Sequence, residues 1–538
     1  MRQNYEAIQP CDANFVALSP LSFLHRTAEM YPNDEAVIYG TRRQSWGQVQ
    51  RRIHAFADAL VKRGIVPGDT VSIICPNIPE MFEAHFAVPM AGAVLHSMNT
   101  RLEADTIAYM LDHSDSKLLL CDTSFAPLIR EAFALMGREV PIVEIIDEQA
   151  GHVSAFGGDD YEALVASGDP AYPGVPVTNE WQAISLNYTS GTSGRPKGVV
   201  CHHRGAYLMS LGTVAGWTVP QRPTYMSIVP MFHCNGWNHP WAMTIVGARM
   251  VFVRDTTTVK MYDAIRTHKV THFGAAPIIL QMLAEAPADV KGGFDHVVHA
   301  FTAGAPPPAA VLEKMRALGF DVMHVYGLTE TYGHVTQCIP REDWTDLPAE
   351  QQAEMAARQG VGFPMVEAVD VVDMETGQPL PADGETQGEI VIRGNVVMAG
   401  YYKDPEATAK AFKDGWFWSG DAAVKFPGHQ LKIRDRLKDV IISGGENISS
   451  VEVEGVLFRH PAIALAAVVA MDDAKWGEVP CAFVELREGA TATEAEIIAF
   501  CRERLAGFKC PKAVRFEELP KTSTGKIQKF QLRARLRA

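Results

Sequence analysis

Short apolar runs alternate with helical stretches along most of this chain, and that alternation restricts the fold more than any other feature. Residues 71–75 (VSIIC), 117–121 (KLLLC) and 248–253 (ARMVFV) read as buried strands. Between them, 48–62 and 261–268 carry helical patterns. Strands alternating with helices predict an α/β class, with helices layered over sheets. After residue 360 the texture changes to shorter strands and turns, such as 388–393 (GEIVIR), Gly415 and Gly420. A charged tract at 432–439 (KIRDRLKD) follows, and then a compact unit of about 100 residues. In that unit 450–458 and 494–505 read as helices, and 464–470 and 481–486 as strands. The domain boundary is placed in the charged tract, although a charge run alone reads as a solvated turn.

A length of 538 residues accommodates two or more such units. With 47% hydrophobic and 21% charged residues the chain is globular in type. Its net charge of −14 argues against nucleic acid as a bulk partner. No stretch of 18 apolar residues suggests a membrane span. The opening MRQNYEAIQP lacks the apolar core of a signal peptide, and the closing RARLRA is neither a prenylation box nor a peroxisomal tripeptide. Nine cysteines without a CxxC pair read as reduced thiols. Together these features point to a cytoplasmic location.

The densest chemical signal is 188–198, YTSGTSGRPKG. Its small residues let backbone N–H groups approach an anion, its hydroxyls add donors and Lys197 adds charge, which suits phosphate. It is not a Walker A loop, because Gly198 follows Lys197 where that motif needs Ser or Thr.

This string resembles the signature loop of the adenylate-forming superfamily, which holds acyl-CoA synthetases, firefly-type luciferases and peptide-synthetase adenylation domains. Further matching pieces follow in order: 303–306 (AGAP), 326–331 (YGLTET), 418–421 (WSGD), 435–439 (DRLKD) and 520–529 (PKTSTGKIQK). The resemblance covers nearly the whole chain. It implies a large N-terminal domain (1–434), a hinge (435–438) and a small mobile α+β C-terminal domain (439–538). The implied reaction has two halves. A carboxylate attacks the α-phosphorus of ATP, giving acyl-adenylate and pyrophosphate; a thiol then attacks the acyl carbonyl and releases AMP.

The resemblance assigns roles residue by residue. Lys526 bridges the carboxylate and the α-phosphate. Thr189, Ser190, Gly191, Thr192 and Lys197 surround the phosphates, and Thr329 touches the α-phosphate. Glu330, with Thr189, holds Mg2+. Gly304, Ala305, Tyr326 and Gly327 line the adenine side, while Asp421 and Arg436 hold the ribose. His233 closes over the phosphate and acyl channel, although a lone histidine is more often structural. Lys438 is the pivot that swings Gly444 and Gly445 toward a tunnel for the pantetheine arm of coenzyme A. On their residue types alone, Thr329 and Glu330 also read as a pair opening a helix.

The nearest branch by resemblance contains bacterial 3-methylmercaptopropionate–CoA ligases and plant acyl-activating enzymes. The segments that carry it are 187–211, 231–247, 439–454 and 518–529. It implies an ATP- and CoA-dependent ligase for a short- or medium-chain acid, commonly a homodimer. An aromatic acid, a carrier-protein thiol, an oxygenase side activity and a non-catalytic sensor are the alternatives. The acyl pocket expected from the match is Asn235, Trp237, His239, Ala303, Tyr332, Gly333 and His334. Trp237 is bulky enough to shorten it; alternatively, Trp237 and Trp241 are core residues at helical spacing. Cys234 reads as packing.

Overall fold

The computed structural model describes residues 8–189, 195–304, 307, 309–444, 446–521 and 527–537. Four sheets organise it. The largest has nine strands, in the order Val361–Gly362, Gly333–Gln337, Phe320–Leu328, Val298–Thr302, His272–Ala275, Thr224–Ser227, Arg249–Phe252, Glu35–Tyr39 and Arg42–Ser45. From Phe320–Leu328 across to Glu35–Tyr39 every neighbouring pair is parallel. Parallel neighbours need crossover connections, and those put helices on the faces of the sheet. Both faces are accordingly buried: Tyr225 and Phe301 enter one core, Met226 and Ala300 another.

A second sheet of eight strands runs Gly400–Tyr401, Lys197–His202, Ala183–Thr189, Val94–Ser97, Thr70–Ile74, Leu118–Asp122, Ile142–Ile145 and Asp159–Asp160. The third is antiparallel and is built on Gln387–Arg393, Trp416–Phe426 and Gln430–Arg436. One continuous apolar core joins all three, from Val37 and Phe82 to Ile390 and Leu431.

The fourth sheet, Ile441–Ser443, Glu446–Ile448, Ile463–Asp473, Gly477–Leu486 and Ala513–Phe516, is the frame of the small C-terminal domain. Alternate residues of Ile463–Asp473 serve two cores. Ala466 and Val468 face helices Ser450–Leu457 and Glu494–Arg502, while Ala467 and Val469 pack with Leu519 and Leu532. Leu532 belongs to the terminal helix Lys529–Arg537, which therefore closes the second face. Among the described residues no helix is long and apolar enough to cross a membrane.

The strands and helices expected from the sequence are present with ends displaced by a few residues. The helix expected over 48–62 starts at Trp46, because Ser45 and Gln48 form a reciprocal capping box. The strand expected at 464–470 is longer, Ile463–Asp473, since its pairing with Gly477–Leu486 continues through polar residues.

Candidate active site

Open α/β sheets bind ligands beyond the carboxyl ends of their strands. The segments singled out in the sequence emerge at such ends. Ala303 and Gly304 follow Val298–Thr302, His233 lies beyond Thr224–Ser227, and Thr329 and Glu330 follow Phe320–Leu328. Strand Ala183–Thr189 pairs antiparallel with Lys197–His202, and Tyr188 and Thr189 stand opposite Gly198 and Lys197 at the two flanks of the glycine-rich string. A strand, not a helix, follows it, which separates it physically from a Walker loop. Ser190, Gly191, Thr192, Ala305, Gly445 and Lys526 lie outside the described residues.

Thr329 and Glu330 do not open an α-helix. They form a 3-10 turn, Thr329–Thr331, inside a hairpin between Phe320–Leu328 and Gly333–Gln337. The hairpin is bulged between Tyr326 and Gly327. A Cβ at Gly327 would fall 1.5 Å from the Gly333 carbonyl oxygen, so only glycine fits there. The hairpin also sets Tyr326 beside the third sheet. Its hydroxyl donates to Asp421 Oδ2 at 2.6 Å, and Arg436 Nε lies 2.8 Å from Asp421 Oδ1. Asp421 and Arg436 are cross-strand partners of Trp416–Phe426 and Gln430–Arg436. Burial and the neighbouring Asp421 carboxylate hold the Tyr326 phenol protonated, so it remains a donor. The result is a carboxylate fixed from two sides, next to the aromatic ring of Tyr326. Gly304, at φ +92°, stands exposed at the end of its strand.

One turn further on, Glu330 Oε1 accepts the Tyr401 hydroxyl at 2.8 Å, and the Glu330 carbonyl accepts the Met398 N–H at 2.8 Å. Tyr401 lies on an edge strand paired to Lys197–His202, and Lys197 Nζ sits 4.9 Å from the centre of its ring. Lys197, Tyr401, Asp404 and Lys410 face a cleft of about 390 Å³. Among the described residues no cluster of three or more His, Cys, Asp or Glu is placed to hold a metal. One oriented carboxylate fits a Mg2+ ion that arrives on nucleotide phosphates and keeps most of its other ligands, the usual protein mode for that cation. Tyr401 was not anticipated from the sequence. It stands 71 residues from Glu330, and no local motif marks it.

The acyl-side residues cluster around the same hairpin. Cys234 Sγ contacts Thr329 Oγ1 at 3.0 Å, and burial raises its thiol pKa to about 12, so it is a neutral packing group. Gly333 backs onto Trp237, with a Cβ built at Gly333 falling 3.4 Å from Trp237 Cα. The Trp237 ring lies 5.9 Å from that of His239, and His239 lies 6.0 Å from His334. Burial lowers the pKa of His334 to about 3 and that of His239 well below the usual imidazole range, so both stay neutral. Ala303, Asn235 and Tyr332 are also buried. The Tyr332 hydroxyl is committed to the backbone of His202 and its ring fills the notch above Gly205. Trp237 does not share a regular helix with Trp241, because the chain between them is left-handed at residues 234–238. Asn187 was also missed in the sequence; it hydrogen-bonds Asn235 from 48 residues away. His233 is half-buried at the start of that left-handed turn.

A carboxylate anchored by tyrosine and arginine, a second carboxylate oriented by a tyrosine whose ring carries a lysine, and a buried cluster of aromatic and histidine side chains therefore gather around one hairpin. A model of the AMP-binding enzyme matches residues 24–402, and one of the AMP-binding enzyme C-terminal domain matches 452–526. The chain belongs to the AMP-binding enzyme family. It is 48% identical to a peroxisomal acetate/butyrate–CoA ligase of Arabidopsis thaliana, over 97% of this chain and 95% of that protein. It is 47% identical to a 2-methylpropanoate–CoA ligase of Humulus lupulus, over 98% and 97%. Among solved structures, the o-succinylbenzoate CoA synthetase of Bacillus subtilis in complex with its acyl-adenylate intermediate superposes with a TM-score of 0.81. That pair is 27% identical, covering 95% of this chain and 97% of the other.

In this AMP-binding enzyme, residues 435–439 are held by polar contacts to the C-terminal domain. Lys438 is exposed on a 3-10 turn, Leu437–Asp439, which begins directly after Arg436. Asp435 accepts the Ser450 N–H at 2.6 Å, and Arg533 of the terminal helix pairs with Asp439. Gly444, at φ +61°, lies under the Trp476 indole: a Cβ there would meet the ring at 2.7 Å.

Proposed function

We propose that this chain is an AMP-forming acyl-CoA ligase that activates a short- or medium-chain carboxylic acid, 3-methylmercaptopropionate among the acids to be tested. The observation that carries this reading is the hairpin that places Tyr326, Thr329 and Glu330 within reach of Asp421, Tyr401 and Cys234. A nucleotide seated on Asp421 and Arg436 has its phosphates directed toward Thr329, Glu330 and Lys197. Asp421, paired with Arg436 and oriented by Tyr326, accepts the ribose hydroxyls. Thr329 donates to the α-phosphate. Glu330, steadied by Tyr401, and Thr189 would hold Mg2+, which supplies charge neutralisation to the phosphates. Lys197 adds positive charge on the pyrophosphate side. Lys526 neutralises the meeting of carboxylate and α-phosphate, and Lys438 is the pivot for thioester formation. His233 closes the channel. The acid lies against Trp237, Gly333, Ala303, Asn235, His239, Tyr332 and His334. Ser190, Gly191, Thr192, Gly304, Ala305 and Gly327 complete the nucleotide site, and Gly444 with Gly445 borders the thiol arm of coenzyme A. The domains in this reading are 1–434, 435–438 and 439–538. The reading includes a cytoplasmic homodimer, consistent with nine free cysteines, eight of them buried.

The test is AMP and pyrophosphate release with ATP and Mg2+, using acetate, butyrate, hexanoate, octanoate, 3-methylthiopropionate, benzoate and cinnamate, each with and without CoA. CoA-dependent AMP release with a short aliphatic or thioether acid is the expected result. Silence with every acid overturns the reading. Lys526→Ala should cut adenylate formation by orders of magnitude yet spare thioester formation from a supplied acyl-adenylate; equal loss in both halves removes the role given to it.

A further inference from the structure

The chain reverses its helical hand immediately after His233. Cys234, Asn235, Gly236, Trp237 and Asn238 have φ of 45°, 44°, 60°, 56° and 62°. Four of these five are not glycine, and L-residues avoid this region because Cβ crowds the following carbonyl oxygen. Such a conformation persists only where its surroundings over-determine it, and it concentrates at functional sites.

The surroundings here are amides. Asn235 N–H donates to Asn187 Oδ1 at 3.2 Å, and Asn187 Nδ2 donates to Asn235 Oδ1 at 2.5 Å. The pair is therefore reciprocal, joining the turn to strand Ala183–Thr189. Asn235 Nδ2 reaches Ser97 Oγ at 3.4 Å, and Asn238 Nδ2 donates to the Tyr332 carbonyl. All of these residues are buried. The partner corner is left-handed as well, with Tyr332 at φ 62° and Gly333 at φ 127°.

The reversal decides where one large side chain goes. In a continuous right-handed helix residues 237 and 241 would share a face. Both tryptophans are buried in the same core, but on different sides: Trp241 donates from Nε1 to the His85 carbonyl at 3.1 Å, whereas Trp237 has its Cα set against Gly333, on the hairpin that carries Thr329 and Glu330. The amide bonds fix the backbone from which the Trp237 indole projects, and with it the set of directions the ring can take.

We propose that Asn187 and Asn235 are positioning residues for acyl-chain selection: their reciprocal amide pair holds the left-handed turn that sets Trp237 across the acyl pocket, and so limits the length of acid accepted. This rests on the ligase reading above. The substrate class that follows is a short acid, excluded from lengthening by the Trp237 indole, which Asn187 reaches only through Asn235.

The test compares kcat/KM for butyrate and octanoate in the wild type, Asn187→Ala, Asn235→Gly, Trp237→Ala and the Asn187→Ala/Trp237→Ala double variant, with the Tm of each. Asn235→Gly removes the amide while leaving a residue at ease with positive φ, so it carries the test if Asn187→Ala fails to fold. The octanoate-to-butyrate ratio should rise about tenfold or more in both asparagine variants, through a lower KM for octanoate. Trp237→Ala should raise it similarly, and Asn187→Ala should add nothing in that background. An unchanged ratio in folded asparagine variants, or an equal fall for both acids, overturns the proposal and leaves a structural role. A wild type that activates no acid would fail the ligase reading itself and take this proposal with it. A wild type active on butyrate with an unchanged ratio in the variants fails the proposal alone.

Discussion

At the scale of single residues, this site works by removing freedom from carboxylates. Asp421 is held by a phenol and a guanidinium, and Glu330 by one phenol. Hydrogen bonds to charged groups contribute about 1.5–3 kcal/mol each, more than neutral ones. Tyr401→Phe removes the single bond that orients Glu330 without altering its charge. The expected outcome is a five- to tenfold rise in the Mg2+ concentration needed for half-maximal AMP release, with the KM for the acid little changed. A magnesium titration at saturating ATP checks it; an unchanged midpoint would show that Glu330 needs no such anchor.

At the scale of elements, the terminal helix is both a structural lid and a tether. Leu532 covers one face of the C-terminal sheet. From the same helix Lys529 reaches back to Glu454 at 2.7 Å and to the Ser450 hydroxyl, which in turn serves Asp435. The Lys529 and Glu454 side chains are each only 13% exposed, and the attraction of Glu454, Asp435 and Asp439 outweighs the desolvation of Lys529 and raises its pKa. Lys529→Met keeps the volume but strands the Glu454 carboxylate. Breaking a buried pair from one side costs about 3–5 kcal/mol. Denaturant unfolding should show a loss of that order, and Lys529→Met/Glu454→Leu should recover most of it. A double variant as unstable as the single one would mean that packing, not charge, makes Lys529 important.

At the scale of the whole molecule, buried histidines make the fold sensitive to acid. Burial pushes His85 and His324 down to about 4, and His96 and His334 down to about 3. In the unfolded chain each titrates near 6.5. The unfolded state therefore binds more protons below about pH 6.5. The stability these residues permit is complete above that value and is lost as pH falls toward the folded-state pKa. At pH 5 each histidine costs about 2 kcal/mol by linkage, and four together rival the ordinary stability of a domain, roughly 5–15 kcal/mol. Thermal melts from pH 7.5 to 4.5 should show Tm falling steeply below pH 6. A flat Tm across that range would contradict burial of these imidazoles in neutral form.

The sequence by itself determined the class of fold and marked the segments that later gather around one hairpin. Alternating apolar runs dictate covered sheets, and segments such as 188–198 and 326–331 are legible because each is contiguous in the chain. Tertiary structure alone decided which distant residues hold those motifs in place. Tyr401 meets Glu330 because its strand adds to the edge beside Lys197, and Asp421 meets Arg436 through antiparallel register. The hand of residues 234–238 was hidden for the same reason. Asn235, Gly236 and Asn238 tolerate positive φ, but Cys234 and Trp237 have no such local preference, so nothing in the spacing of Trp237 and Trp241 marked the reversal. Asn187, Ser97 and Tyr332, brought in from three other strands and turns, supply hydrogen bonds that hold the turn.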